Sequence, residues 1–256
     1  MINSVFTGNC VEIMKNIEST SIDLTVTSPP YDDLRNYNGY TFDFEAVANE
    51  VYRVTKMGGT LVWIVADRTV NGSETGTSFK QALYFKELGF RLYDTMIWNK
   101  GTSAFQQRDR YINVFEYMFV FSKGKPKTIN LIRDRKNKYA GTKVHGTERQ
   151  IDGSTKPMSE TQKSKVVKEY GARHNIWNIT PTKRNKTPHP APFPYELAEG
   201  HILTWSNPND IILDPMCGSG TTLLASQLNN RNFIGIDISN EYVQLTKSLL
   251  SGKENK

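Results

Sequence analysis

An apolar run, Ile22–Thr27, leads directly into Ser28-Pro29-Pro30-Tyr31. Two consecutive prolines cannot extend a sheet and restrict the residue before them, so the strand must end there in a stiff, extended lip. In open α/β sheets the carboxyl end of a strand is where ligands bind. Ser28 brings a hydroxyl, Pro29 a carbonyl and Tyr31 a flat ring. Such a set can hold an amino group by two hydrogen bonds and stack the base that carries it. For an isolated Pro-Pro-Tyr, a strand followed by a proline turn is the better account. Two further motifs decide against it here.

Around this strand the chain alternates strand-like and helix-like stretches, which predicts an α/β fold with a doubly wound, mostly parallel sheet. Val5–Thr7 reads as a strand, and Cys10 to Glu18 as a helix with Val11, Met14 and Ile17 on one face. Phe44–Lys56 reads as a helix stopped by Gly58-Gly59, followed by a buried strand at Thr60–Ala66. Ser78–Leu88 reads as a helix ended by Gly89, and Leu92–Trp98 as a strand. Phe115–Phe121 closes this half as an antiparallel edge strand. Later, helices at Tyr195–Trp205, Thr221–Leu228 and Glu241–Leu250 alternate with strands at Ile211–Leu213 and Phe233–Ile236. The length of 256 residues suits one such domain with an insertion.

The insertion is marked by charge. Residues 124–175 hold 13 Lys and Arg against 5 Asp and Glu, a net +8, while the whole chain carries +6 and so the remainder −2. A concentrated, single-signed charge predicts a polyanion-binding arm rather than a merely solvated loop. The expected division is 1–123, a basic region at 124–175, and 176–256. Lys136, Lys138 and Lys143 are its candidate phosphate contacts, with Arg108 and Arg110 in the loop before the edge strand as additional ones.

The second motif is Asp214-Pro215-Met216-Cys217-Gly218-Ser219-Gly220-Thr221-Thr222, between a short strand and a helix. Gly218 and Gly220 permit a sharp turn and close approach of the backbone to a ligand. Thr221 and Thr222 stand at the helix start, where open amides and the dipole attract a carboxylate. Asp237 ends the next strand, suitably placed to hold two ribose hydroxyls. The third small residue of a dinucleotide fingerprint is missing, since position 223 is Leu.

The two cysteines, Cys10 and Cys217, have no metal-ligand spacing and no nucleophile setting, and Cys217 reads as a small residue in a tight turn. The four histidines form no pair at zinc spacing, so no metal is expected. Without a signal peptide or a membrane-length apolar run, a reduced intracellular compartment is expected.

In these motifs the chain resembles the β group of S-adenosylmethionine-dependent DNA amino-methyltransferases. The group's permuted order is present: Ser28-Pro29-Pro30-Tyr31, then the basic segment, then Asp214–Thr222. His189-Pro190-Ala191-Pro192-Phe193-Pro194 is similar to the motif that precedes the cofactor loop in that group. The resemblance implies a Rossmann-like methyltransferase sheet with 124–175 as target-recognition region. It also implies a cofactor pocket of Asn9, Phe193, Asp214, Pro215, Cys217, Gly218, Ser219, Gly220, Thr221, Thr222 and Asp237. Asn9 departs from the group's usual aspartate, though an amide oxygen still accepts a hydrogen bond.

The implied reaction is methyl transfer to the exocyclic amine of a flipped base, with Ser28, Pro29, Pro30 and Tyr31 as the catalytic lip. In the group, a leading Ser accompanies cytosine N4 more often and a leading Asp adenine N6. Cytosine N4 is the expectation here and adenine N6 the alternative. An RNA or protein-amide methyltransferase, or a non-catalytic DNA-binding module, fits the motifs less well. Double-stranded DNA is the implied partner, in a restriction-modification setting, in the cytoplasm at the nucleoid. A homodimer and a cognate restriction endonuclease are left open.

Overall fold

The computed structural model describes residues 1–30, 42–101, 109–181 and 194–252. Strand β1 (Ser4–Thr7) passes through Gly8 and Asn9 into helix α1 (Cys10–Met14). Strand β2 (Ile22–Thr27) is the run before the proline lip, and five of its six residues are buried. Helix α2 (Phe44–Val54) turns Val47, Ala48, Val51 and Val54 inward, one apolar stripe at helical spacing. Strand β3 (Thr55–Val65) follows without a loop.

The helix is therefore shorter than its spacing predicts, and Gly58-Gly59 lies inside β3 instead of stopping α2. The reason is an irregular register between β2 and β3 at Ile22 and Leu24. Gly58 takes φ +82° there, and a Cβ on Gly59 would lie 3.0 Å from the Asp23 carbonyl. The glycines let the strand bulge past its neighbour.

Strands β4 (Thr69–Val70) and β5 (Ser73–Glu74) form a hairpin whose turn residues Asn71 and Gly72 have φ of 49° and 78°. Helix α3 (Thr77–Glu87) follows, then β6 (Arg91–Asn99) and β7 (Phe115–Ser122). Residues Leu131–His174 form a unit of their own. It contains β8 (Arg135–Lys136), β9 (Thr147–Arg149), β10 (Thr155–Pro157), α4 (Glu160–Lys163) and β11 (Tyr170–Gly171). In it β9 pairs antiparallel with β10, and β8 with β11. The first unit resumes with β12 (Ile176–Asn178), α5 (Tyr195–Trp205), β13 (Ile211–Asp214), α6 (Thr221–Leu228), β14 (Asn232–Asp237) and α7 (Asn240–Leu250).

Eight strands make one sheet in the order β1-β14-β13-β2-β3-β7-β6-β12. The first five run parallel, and β7 is antiparallel to both neighbours. The Phe115–Phe121 run is thus antiparallel as expected but interior, and the edge on this side is β12, parallel to β6. Its composition explains the place. Met118, Phe119, Val120 and Phe121 are consecutive and all buried, which requires cover on both faces, as a strand between β3 and β6 receives.

Helices cover the two faces. Leu61, Trp63 and Val65 of β3 and Ile234 and Ile236 of β14 join residues of α1, α2 and α3 in one core. On the opposite face, Phe233 of β14 packs with Leu223 of α6 and Val243 of α7. His201 of α5 stacks on Trp177 with ring centres 4.6 Å apart, and burial lowers its pKa to about 3, so it is neutral at ordinary pH. Among the described residues no helix is long and apolar enough to cross a membrane.

Candidate active site

Four parallel strands end at the same edge of the sheet and deliver the sequence motifs there. β1 ends at Gly8-Asn9, β14 at Asp237, β13 at Asp214 and β2 at Ser28-Pro29-Pro30. Register fixes their spacing: Thr7 lies opposite Asp237, Asp214 opposite Gly235, and Leu213 opposite Thr25. The two motifs, far apart in the chain, come from adjacent strands. A buried side-chain hydrogen bond links the two strands at their ends, Thr27 Oγ1 donating to Asp214 Oδ1 at 2.8 Å.

Asp214 is 1% exposed and Asp237 9%. Asp214 also accepts from the Met216 amide at 3.2 Å. Asp237 accepts from the Gly218 amide and the Ser239 amide, both at 2.8 Å. Burial pushes the Asp214 carboxyl up to about 6, against hydrogen bonds from Thr222 and Thr27 that favour the charged form. Burial raises Asp237 as well, against its two amide donors. Among the described residues neither carboxylate has an ion-pair partner. Two buried acids without a cation among the described residues suit a ligand that brings positive charge and hydroxyls.

The loop between them is built for close approach. Gly218 and Gly220 have φ of +50° and +84°. A Cβ on Gly220 would fall 2.5 Å from Thr246 Cγ2, and Thr246 Oγ1 itself donates to the Gly218 carbonyl at 2.9 Å. Gly220 is the N-cap of α6, so the open amides at Thr221 and Thr222 face this end of the sheet. Thr222 is buried with its hydroxyl 3.5 Å from the Val26 carbonyl, so it braces Asp214 and β2 from beneath. Pro215 and Ser219 are buried in the same turn. The Cys217 side chain packs in the core with Leu223 and Phe233, and only its backbone follows the loop, the amide donating to the Ile236 carbonyl at 2.9 Å. Asn9 caps α1, its Oδ1 accepting from the Val11 amide at 2.8 Å. Among the described residues that oxygen accepts from no other donor, which leaves one lone pair for a ligand.

On the lip, Pro29 is buried while Ser28 and Pro30 are partly so. Tyr31, Arg108 and the stretch from His189 through Phe193 lie outside the described residues. Burial pushes the Cys10 thiol up to about 11 and Cys217 well above its ordinary value, so neither is a thiolate near neutral pH. Among the described residues no three His, Cys, Asp or Glu side chains cluster as a metal site. Arg110 is partly buried and donates to the Gly72 carbonyl at 2.7 Å. Lys136, Lys138 and Lys143 are exposed within the Leu131–His174 unit, with Lys138 over the Tyr139 ring at 5.5 Å.

Three participants escape sequence reasoning: Thr27, Thr246 and Ser239. Thr27 looks like ordinary strand filling, and only the β2–β13 pairing gives its hydroxyl a carboxylate. Thr246 had a signal, a polar residue on the buried side of α7 three positions after Val243. Ser239 reads as a helix cap, which it is, while its amide also holds Asp237.

A family model for N6/N4 methyltransferases, described as DNA methylase, matches residues 22–248. The chain belongs to this DNA methylase family. It is 55% identical over 244 residues to the orphan methyltransferase M.BamHII of Bacillus amyloliquefaciens, covering 92% of this chain and 91% of that protein. Among solved structures it is similar to a putative DNA modification methylase of Thermus thermophilus in complex with S-adenosyl-L-methionine. That match has 26% identity and a TM-score of 0.65, with 98% of this chain and 95% of the other covered. The PvuII cytosine-N4-specific DNA methyltransferase shares the fold, with a TM-score of 0.70 at 19% identity over 96% of this chain and 86% of that one. In this DNA methylase the match runs from the first residue of β2 into α7, so it takes in both motif-bearing strands and the unit between them.

Proposed function

We propose that this DNA methylase uses S-adenosylmethionine to methylate the N4 amine of cytosine flipped out of duplex DNA. The Thr27–Asp214 hydrogen bond carries the reading, because it couples the strand of the proline lip to the strand of the glycine loop across 187 residues of sequence. The cofactor fits the residues present. Asp237 would hold the ribose hydroxyls, the Gly218–Gly220 turn would admit the ligand backbone-close, and Asp214 would offset cationic charge. Bound there, S-adenosylmethionine supplies an electrophilic methyl group.

The chain's own residues then act on the amine. Its lone pair is normally delocalised into the ring, which makes it a weak nucleophile. The Ser28 hydroxyl oxygen and the Pro29 carbonyl would accept its two N–H bonds, drawing the nitrogen toward tetrahedral geometry. Tyr31 would stack the extruded base, and the stiff Pro29-Pro30 backbone would hold the amine in line for displacement. No enzyme nucleophile is needed, in keeping with two protonated cysteines. Ser at position 28 supports cytosine over adenine.

The test is methylation of duplex DNA followed by mass spectrometry of its nucleosides. N4-methylcytosine is expected. N6-methyladenine would overturn the choice of base, and label confined to RNA or protein would overturn the choice of substrate. Ser28→Ala should bind S-adenosylmethionine normally while losing most transfer.

A further inference from the structure

The segment 109–114 emerges at the catalytic edge of the sheet. It precedes β7, which is antiparallel to β3, so β7 begins where β3 ends: Tyr117 pairs with Val65 and Phe115 with Asn99. The lip at Ser28-Pro29-Pro30 leaves the sheet at this same edge, since Thr27 pairs with Trp63 near the end of β3. Two strand spacings separate β2 from β7, about 10 Å.

Tyr111 of this segment is 100% exposed, and its neighbour Ile112 48%. The segment is nonetheless held. Arg110 Nη2 donates to the Gly72 carbonyl at 2.7 Å, tying it to the turn of the β4–β5 hairpin. The Lys100 amide donates to the Val114 carbonyl at 2.7 Å, and Asn113 Oδ1 accepts from the Phe115 amide at 3.1 Å. The hairpin is itself anchored, because Asp67 accepts from the Ser78 amide at 2.9 Å and from Ser78 Oγ. Val70, on that hairpin, is 39% exposed. What sets Tyr111 apart from an ordinary surface side chain is its place: a fully exposed ring on a segment tied down on both flanks, at the sheet edge where the lip emerges.

We infer that Tyr111 enters the DNA duplex beside the target nucleotide and stacks on the base pair left behind when that base is extruded. A braced aromatic ring suits this role, because it offers a flat apolar face at little cost in ordering and stacks on any base. Ile112 would widen the wedge, and Arg110 would hold its base against the hairpin. The inference rests on the base-extrusion reading proposed above and adds a residue that neither the lip nor the glycine loop includes.

The experiment compares Tyr111→Ala and Tyr111→Phe with wild type on two short duplexes carrying the sequence that the wild-type enzyme methylates. One duplex is fully paired. In the other the target base faces a mismatch, which lowers the cost of extruding it. Tyr111→Ala should lose roughly 10- to 100-fold in kcat/KM on the paired duplex and recover most of it on the mismatched one. Tyr111→Phe should remain near wild type on both, and the Kd for S-adenosylmethionine should not change in either variant. Wild-type activity of Tyr111→Ala on the paired duplex would overturn the inference. So would an equal loss on both duplexes, which would mark a structural role. A wild-type enzyme indifferent to the mismatch would remove the extrusion reading, and this inference with it.

Discussion

The fold changes the chemistry of Asp214, at the start of the glycine loop. Its carboxyl, ordinarily near 3.8, sits at about 6 because burial disfavours the charge more than the donors from Thr222, Thr27 and Met216 favour it. The folded protein therefore holds this proton more tightly than the unfolded chain does. The stabilisation this gives is complete below pH 3.8 and is lost as the pH rises through about 6. At pH 8 the ionised group costs the ligand-free protein about 3 kcal/mol. Asp214→Asn removes that cost while keeping an amide oxygen for Thr27 and Met216. The variant should melt several degrees above wild type at pH 8, with the gap closing toward pH 4, in calorimetry without ligand. The same variant should bind S-adenosylmethionine more weakly, because a cationic ligand gives a buried carboxylate its return. A variant that melts like wild type at both pH values would show that burial at Asp214 is not costly.

At the scale of elements, the glycine loop is held by a helix from the far end of the chain. Thr246 of α7 donates to the Gly218 carbonyl and fills the space beside Gly220. Gly220→Ala should therefore suffer twice. Its φ of +84° strains any L side chain by roughly 1–2 kcal/mol, and the new Cβ must push Thr246 away. Loss of cofactor binding is expected together with a lowered Tm. Thr246→Ser separates the two effects, since it keeps the hydroxyl and removes the Cγ2 that the Cβ would strike. Adding Thr246→Ser to Gly220→Ala should recover part of the stability, read in the same thermal melts. No recovery would mean that backbone strain, together with the Thr246 Oγ1 and Cβ that Ser retains at 2.9 and 3.1 Å from the new Cβ, accounts for the loss. On the proline lip, by contrast, Pro29 and Pro30 fix their own φ.

The whole molecule divides its charge unevenly, and the basic excess lies in the stretch that contains the Leu131–His174 unit. If that unit is the DNA-reading arm, it should supply most of the salt dependence of binding. Replacing Lys136, Lys138 and Lys143 together by Gln should reduce the slope of log affinity against log salt by up to about 0.9 for each phosphate no longer neutralised. S-adenosylmethionine affinity should be untouched, since the Gly218–Gly220 turn and Asp237 belong to the other unit. Fluorescence anisotropy over a salt series measures the first and calorimetry the second. An unaltered slope would place the phosphate-binding residues elsewhere.

Much of this protein was legible in the chain itself, wherever a residue's own covalent chemistry decides its conformation. Prolines at 29 and 30 had to end a strand. Gly218 and Gly220 had to make a turn few other residues can make. The apolar periods of β2, α2 and β14 had to face a core. Those rules act over a few residues, so they located the lip, the loop and Asp237. They could not see pairings between distant segments. The interior place of β7, the bulge that puts Gly58-Gly59 inside β3, and the exposed strands β8 to β11 all depend on which backbone lies alongside. Surface ribbons bury too little to imprint a hydrophobic period on their sequence. The same limit hid Thr27, Thr246 and Tyr111. Their significance is a neighbour, or the lack of one, and only tertiary structure assigns neighbours.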